Sequence, residues 1–278
     1  MWDDRILSLT RAVVVVVIAI LTLVWVVLFL LPAQTDHRFA WTIEPTMTAM
    51  LMGAGYGSAL YFFIRVLTGR RWHEVGLGFL PVTVFTWMML GATFLHWDRF
   101  HHGSVPFLMW FWIYLVTPVL VPVMWLVNRR RDPGLPEEHD AAFPSGFRLA
   151  MTVAGAVLLA IAAWMYLVPS SAIDAWPWLL TPLTARAVAA FVALPGVAWL
   201  AIASDVRWSS AKVVLATVAI GLFLLTLAVA RAWDQFDHGN PLSYLYVGGL
   251  LGTLGAIGAL TLWMRGRVAV GLERRGSR

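Results

Sequence analysis

Between two strongly apolar runs the chain carries the stretch LHWDRFHHGSVP, Leu95 to Pro106, which holds three histidines, an aspartate and two further polar groups, Arg99 and Ser104. A shorter echo, AWDQFDHGNP, runs from Ala232 to Pro241. Carboxylate and imidazole together suit a divalent transition metal such as zinc, and imidazole also titrates near neutral pH. The residues that could do this chemistry are Asp98, His101 and His102 in one stretch and Asp234, Asp237 and His238 in the other. They would form a ligand site if the two stretches met. The spacings D-x-x-H-H and D-x-x-D-H are not established ligand signatures, and Arg99 would oppose a bound cation. Metal identity is therefore left open, no cofactor is assigned, and no residue is read as catalytic. The competing reading makes each stretch a helix corner. Gly103 and Gly239 would close a helix in the left-handed region, Pro106 and Pro241 would stand in the first turn of the next, and Asn240 would cap it. Trp97 and Trp233 would then lie at headgroup depth.

Arg186 is the other candidate. It follows Pro182 by four residues, about one helical turn, inside an apolar run. Such a side chain either snorkels to the headgroups or pairs with Asp174, Glu44 or an anionic ligand. Glu44, just before Pro45, reads as a helix-start residue whose charge meets the positive end of the helix dipole, and Thr181 as a cap.

The elements that must carry these residues follow from composition. Of 278 residues 60% are hydrophobic and 13% charged, against about 25% charged in soluble domains. Eight runs are long and apolar enough to cross a hydrocarbon core: Ala12–Leu31, Pro45–Leu67, Gly76–Leu95, Pro106–Val127, Leu149–Val168, Pro182–Ala203, Val213–Ala230 and Leu242–Met264. The expected fold class is all-α, a polytopic transmembrane bundle. Cysteine is absent, which excludes disulfides and thiolate metal sites. The net charge of +5 is not a nucleic-acid footprint, because the basic residues sit in short connections between spans. Assigned alternately to two sides, the ends and loops hold 16 Lys and Arg on the side of the N-terminus and four on the other. Basic loops stay in the cytoplasm, so both termini are expected there and the two W-D-x-F stretches outside.

The two halves echo one another beyond those stretches. Pro32, Trp41 and Pro45 recur as Pro169, Trp178 and Pro182 at an offset of 137, while Arg71, Trp72, Trp97, Asp98, Phe100, His102 and Gly103 recur at an offset of 136. Collinearity of this kind predicts a tandem duplication of a four-helix unit. Four spans per unit give both copies the same orientation, hence a pseudo-twofold axis along the membrane normal. The first unit is 1–131, the linker 132–147 and the second unit 148–278. Pro32 ends the first run as Pro169 ends the fifth, and no clear A-x-A site follows, so the first run is read as a structural helix.

The stretch WPWLLTPLTARAVAA, Trp176 to Ala190, resembles a set of uncharacterised bacterial integral membrane proteins that share a W-P-W-x-L-T-P-L-T-A-R-like sequence. The resemblance covers mainly the second half and implies a bacterial inner-membrane location, with no activity to transfer.

Small residues at helical spacing, Gly53 with Gly57, Gly55 with Ala59, and Gly248, Gly252 and Ala256, predict close packing of the second and eighth spans. The aromatic run Phe107 to Tyr114 is too dense for one helix face and reads as a lipid-facing girdle. No Asp, Glu or His stands near the middle of a span, which weighs against an ion-coupled pump. No Walker loop, H-E-x-x-H or G-x-S-x-G motif supports an enzyme. The expected function is binding or transport of a small or lipidic ligand in an outward cleft between the repeats, and the alternative is a scaffold for a membrane-protein partner. Membrane lipid is the expected partner, not nucleic acid.

Overall fold

The computed structural model describes residues 4–132, 134–136, 140–205 and 207–276. Among the described residues, eight helices long and apolar enough to cross a membrane make the chain a polytopic membrane protein. They are α1 (Ser8–Leu30, closing in a π-turn), α2 (Thr46–Thr68), α3 (Gly76–Leu95), α4 (Val105–Arg129), α5 (Ser145–Leu167), α6 (Pro182–Ser204), α7 (Trp208–Arg231) and α8 (Pro241–Gly276). Apolar runs of this length become helices because only a helix satisfies every backbone group within its own segment. Hydropathy alone locates these helices but shortens some of them. Hydrogen bonding carries α1 back to Ser8, α5 to Ser145 and α7 to Trp208, into residues too polar to count as apolar core. Among the described residues the only extended pairings are two isolated bridges, Arg5 with Arg71 and Ala142 with Arg207.

Several ends are set by caps legible in the chain. The Thr181 hydroxyl accepts from Thr184 N–H at 3.2 Å, in a reciprocal box that starts α6, and Asn240 Oδ1 accepts from Leu242 N–H at 2.9 Å to start α8. Gly103 adopts φ +81°, as a left-handed closing residue should. Gly239 does not: its φ is ordinary, and its N–H is held by Asp237 Oδ1 at 2.9 Å, which turns the chain without a positive φ.

The helices interleave. Within the first half α1 lies along α2 and α3 along α4, and in the second half α5 lies along α6 and α7 along α8. The remaining long contacts cross between halves, α2 along α7 and α3 along α6, while α2 and α6 meet at the centre. Close approach there depends on missing side chains. A Cβ on Gly53 would lie 2.8 Å from both the Cβ and the backbone N of Phe29, and one on Gly55 would lie 2.2 Å from Phe191 Cε1. The expectation of tight packing thus holds for α2. It fails for Gly248 and Gly252 of α8, where no atom lies within 4 Å of a built Cβ, so these glycines face open space. The aromatic girdle is also only half lipid-facing. Phe107, Trp110 and Tyr114 are buried, with Trp110 Nε1 donating to Thr93 Oγ1 at 3.0 Å, while Leu108 and Trp112 are exposed.

One face of the bundle carries the two W-D-x-F stretches and is called the corner face. The other, the linker face, carries residues 69–76, 128–132, 140–148, 204–205 and 207–212.

Candidate functional site

At the corner face each W-D-x-F stretch forms a 3₁₀ turn, Trp97–Arg99 and Trp233–Gln235. The contacts within the two turns match position by position. His101 N–H donates to Ala40 O at 2.9 Å and Asp237 N–H to Pro177 O at 2.8 Å. His102 Nε2 meets Trp97 O at 2.7 Å and His238 Nε2 meets Trp233 O at 3.1 Å, so each imidazole donates through that nitrogen and lies over its own tryptophan. Behind them Trp41 packs on Phe100 and Trp178 on Phe236.

The site candidates make local contacts. Asp98 is exposed and pairs with its neighbour Arg99 at 3.2 Å, and His101 Nε2 meets Thr42 Oγ1 at 3.2 Å. Asp237 holds its own loop through Gly239, and Asp234 is exposed. Arg231 turns away from Asp234 to donate to Phe29 O at 2.7 Å. Among the described residues no three His, Asp or Glu side chains come together as metal ligands. Gln235, which sequence reasoning passed over, joins the turn after α7 to α2: its Oε1 accepts from Met47 N–H at 2.8 Å and its Nε2 donates to Thr46 Oγ1 at 2.7 Å.

Arg186 makes neither expected ion pair. Its Nη1 donates to His96 Nε2 at 2.7 Å, and its guanidinium carbon lies 5.9 Å from the centre of the Tyr166 ring. Burial, and then the charge of Arg186, hold the His96 pKa below its ordinary value. The ring is therefore the neutral acceptor that a guanidinium, a donor only, requires.

A large concavity lies elsewhere. A groove of about 940 Å³ opens between α5 and α8, floored by α2, α6 and α7, with walls that are almost wholly apolar. It runs from Trp176 and Leu242 near the corner face to Phe147 and Leu260 near the linker face. Its width comes from α8, which presents Gly249, Gly252 and Ala256 to it. The positions of α4 matched by the 136 offset carry Ile113, Val116 and Leu120. At the corner-face end, Trp176 and Tyr246 line the groove with rings 6.0 Å apart, and Trp176 Nε1 and the Tyr246 hydroxyl are both buried without a hydrogen-bond partner. Periodicity could not place this groove, because it depends on which helices the interleaved packing sets apart.

The linker face holds a polar network that sequence reasoning also missed. Arg207, 7% exposed, bridges Asp132 at 2.9 Å and Asp205 at 2.7 Å. Burial would raise both carboxyls, but the Arg207 hydrogen bonds, a backbone N–H bond to each and the Arg207 charge together hold both below their ordinary range. Those bonds in turn hold the guanidinium above its own ordinary value. Asp4 pairs with His73 Nδ1 at 2.5 Å, the Ser209 hydroxyl donates to Asp140 at 2.5 Å, and Lys212 reaches Glu74 at 2.9 Å. The recurrence of Arg71-Trp72 as Arg207-Trp208 was the available signal. Trp72 N–H donates to Asp4 O at 2.9 Å as Trp208 N–H donates to Ala141 O at 3.1 Å, so each tryptophan pins the segment before its half's first span.

No family model, curated protein or solved structure matches this chain.

Proposed function

We propose that this protein binds the acyl chain of a membrane lipid in the groove between α5 and α8. The observation that carries this reading is the groove itself, about 940 Å³ and almost wholly apolar. Pockets that bury small molecules run from about 300 to 1,000 Å³, and an elongated groove parallel to the helices suits a chain that already lies along the membrane normal. The unpartnered donors of Trp176 and Tyr246 stand at one end, where an ester or headgroup oxygen would relieve the cost of leaving them unpaired. In this reading the chain sits in a bacterial inner membrane with the linker face in the cytoplasm, as the distribution of arginine favours. The corner face, with its exposed Asp98, Asp234 and His238, is then the outer, solvated rim.

The matched contacts at both faces, and the exchange of α2 along α7 for α6 along α3, support a tandem duplication with an axis along the membrane normal. On that reading the second copy lost bulk on α8 and so opened one groove.

A second reading, a scaffold, is favoured by Gly248, Gly252, Gly255 and Gly258 of α8, whose missing side chains face open space and would let a partner's membrane helix approach closely. Native mass spectrometry of the chain, extracted in mild detergent, separates the two. The lipid reading expects bound lipid in the parent and at least a tenfold loss in Gly249→Ile/Gly252→Val/Ala256→Leu, which grafts the α4 residues into the groove. A parent free of lipid that carries an additional protein subunit would replace it with the scaffold.

A further inference from the structure

We infer that Arg186 and His96 form a second site, at the corner face between α3, α5 and α6, for the phosphate oxyanion of a lipid headgroup. Arg186 is only partly exposed and stands in the second turn of α6. Among the described residues no carboxylate lies within ion-pair distance of it, and neither Asp174 nor Glu44 reaches it. Its one side-chain hydrogen-bond partner, His96, carries no charge to offset it. Its Nε is fully buried and unpartnered, while its Nη2 is neither bonded nor buried and so reaches the surface.

A cation held this way lacks what half-buried cations ordinarily have, an anion or full hydration. The start of α6 does not supply that anion, because a helix N-terminus carries a partial positive charge. Nearby Asp98 is already paired with Arg99. The imidazole orients the guanidinium instead of competing with it. Because His96 Nε2 accepts from Arg186, the neutral ring carries its proton on Nδ1. With Nη1 held on His96, guanidinium Nη2 is left to meet an oxyanion, and the ring fixes the direction in which the fork points. The Tyr166 ring beside the guanidinium, its hydroxyl anchored on Met88 O at 2.8 Å, restricts where the arginine can swing. One turn inside a span is also the depth at which lipid phosphates are reached by arginine. Planar guanidinium suits phosphate better than a point charge does.

Neither Arg186, His96 nor Tyr166 lines the α5–α8 groove, so the site stands whether or not that groove holds a chain. The test uses the full chain in a maltoside detergent, which contains no phosphorus. Thermal unfolding is followed with short-chain phosphatidylglycerol, with diacylglycerol of the same chains, and with inorganic phosphate. Phosphatidylglycerol should stabilise the parent beyond diacylglycerol. In Arg186→Gln that difference should need at least about tenfold more lipid, in keeping with the loss of a charge-assisted hydrogen bond. His96→Gln, which keeps a polar side chain, should lose part of it, and Arg186→Lys should fall between parent and Arg186→Gln. Arg186→Gln without lipid should unfold at the parent's temperature or above, because the uncompensated buried cation is gone, and this separates loss of binding from loss of fold. Filling the groove with Gly249→Ile/Gly252→Val/Ala256→Leu should abolish only the diacylglycerol response. Equal phosphatidylglycerol responses in the parent and Arg186→Gln would overturn the site. A full response to inorganic phosphate alone would keep the oxyanion and overturn the lipid as its source.

Discussion

A single added methyl group should have opposite consequences on two glycines of this bundle. In Gly53→Ala the new Cβ would stand 2.8 Å from the Cβ and the backbone N of Phe29 and 3.0 Å from the carbonyl carbon of Leu28. Carbon atoms in contact prefer about 3.5–4.0 Å, and the obstructing atoms here belong largely to the backbone of α1. No rotamer change relieves them. The two helices must part by close to 1 Å on that spacing, and the Phe29 side chain, now 5% exposed, comes away from its contacts with them. Overpacking of this kind costs typically 1–3 kcal/mol, partly offset by the roughly 0.5–1 kcal/mol that alanine gains over glycine in a helix. The expected net loss is about 1–2 kcal/mol on these figures. In Gly252→Ala nothing lies within 4 Å of the new Cβ, so only the propensity remains and the variant should be neutral or up to about 1 kcal/mol more stable. Both are measured by reversible unfolding in mixed micelles, followed by far-ultraviolet circular dichroism at matched detergent composition. If Gly53→Ala unfolds with the parent, or Gly252→Ala loses as much as Gly53→Ala, the packing argument for both helices is wrong.

Arg207→Met should destabilise the chain by about 3 kcal/mol, the usual scale for stranding a buried ionic partner, and Arg207→Met/Asp132→Asn should recover part of the loss; thermal unfolding of the three proteins checks the coupling. Asp132 and Asp205 are held below the ordinary carboxyl value of 3.8, so their stabilisation is complete above that value and is lost as pH falls through their lower folded values. The melting temperature should therefore be insensitive to these groups from about pH 7 to pH 5 and fall below about pH 4, a fall that Arg207→Met should blunt. Asp98→Asn/His102→Gln should respond to zinc as the parent does, because both side chains hold only their own corner; a zinc-dependent rise in melting temperature that only the parent shows would restore a metal site. With no cysteine in the background, a membrane-impermeant thiol reagent applied to intact cells should label Asp234→Cys and not Ser145→Cys, and the reverse pattern would invert the orientation.

Apolar runs and local caps were enough to place the elements and most of their ends. Twenty-residue apolar runs leave the backbone no alternative to helix in a membrane, and caps such as Thr181, Asn240 and Gly103 act within three or four residues, a range the linear chain displays directly. The echo between halves was also legible, because short segments that share W-D-x-F-x-H-G make the same local turn, as at Trp97 and Trp233. What lies between helices, by contrast, follows from long-range packing. Which neighbour a helix takes depends on side chains more than a hundred residues apart, as with Gln235 on Met47 or Lys212 on Glu74. Gly53 and Gly252 look alike as residues, yet one is pressed against Phe29 and the other borders an open groove. Arg186 could be seen as an intramembrane charge from its spacing alone, but its meeting with neutral His96 instead of a carboxylate needed α3 to pack on α6. Glycine records only that a side chain is missing; whether a neighbour fills the space is decided by the packing of the whole bundle.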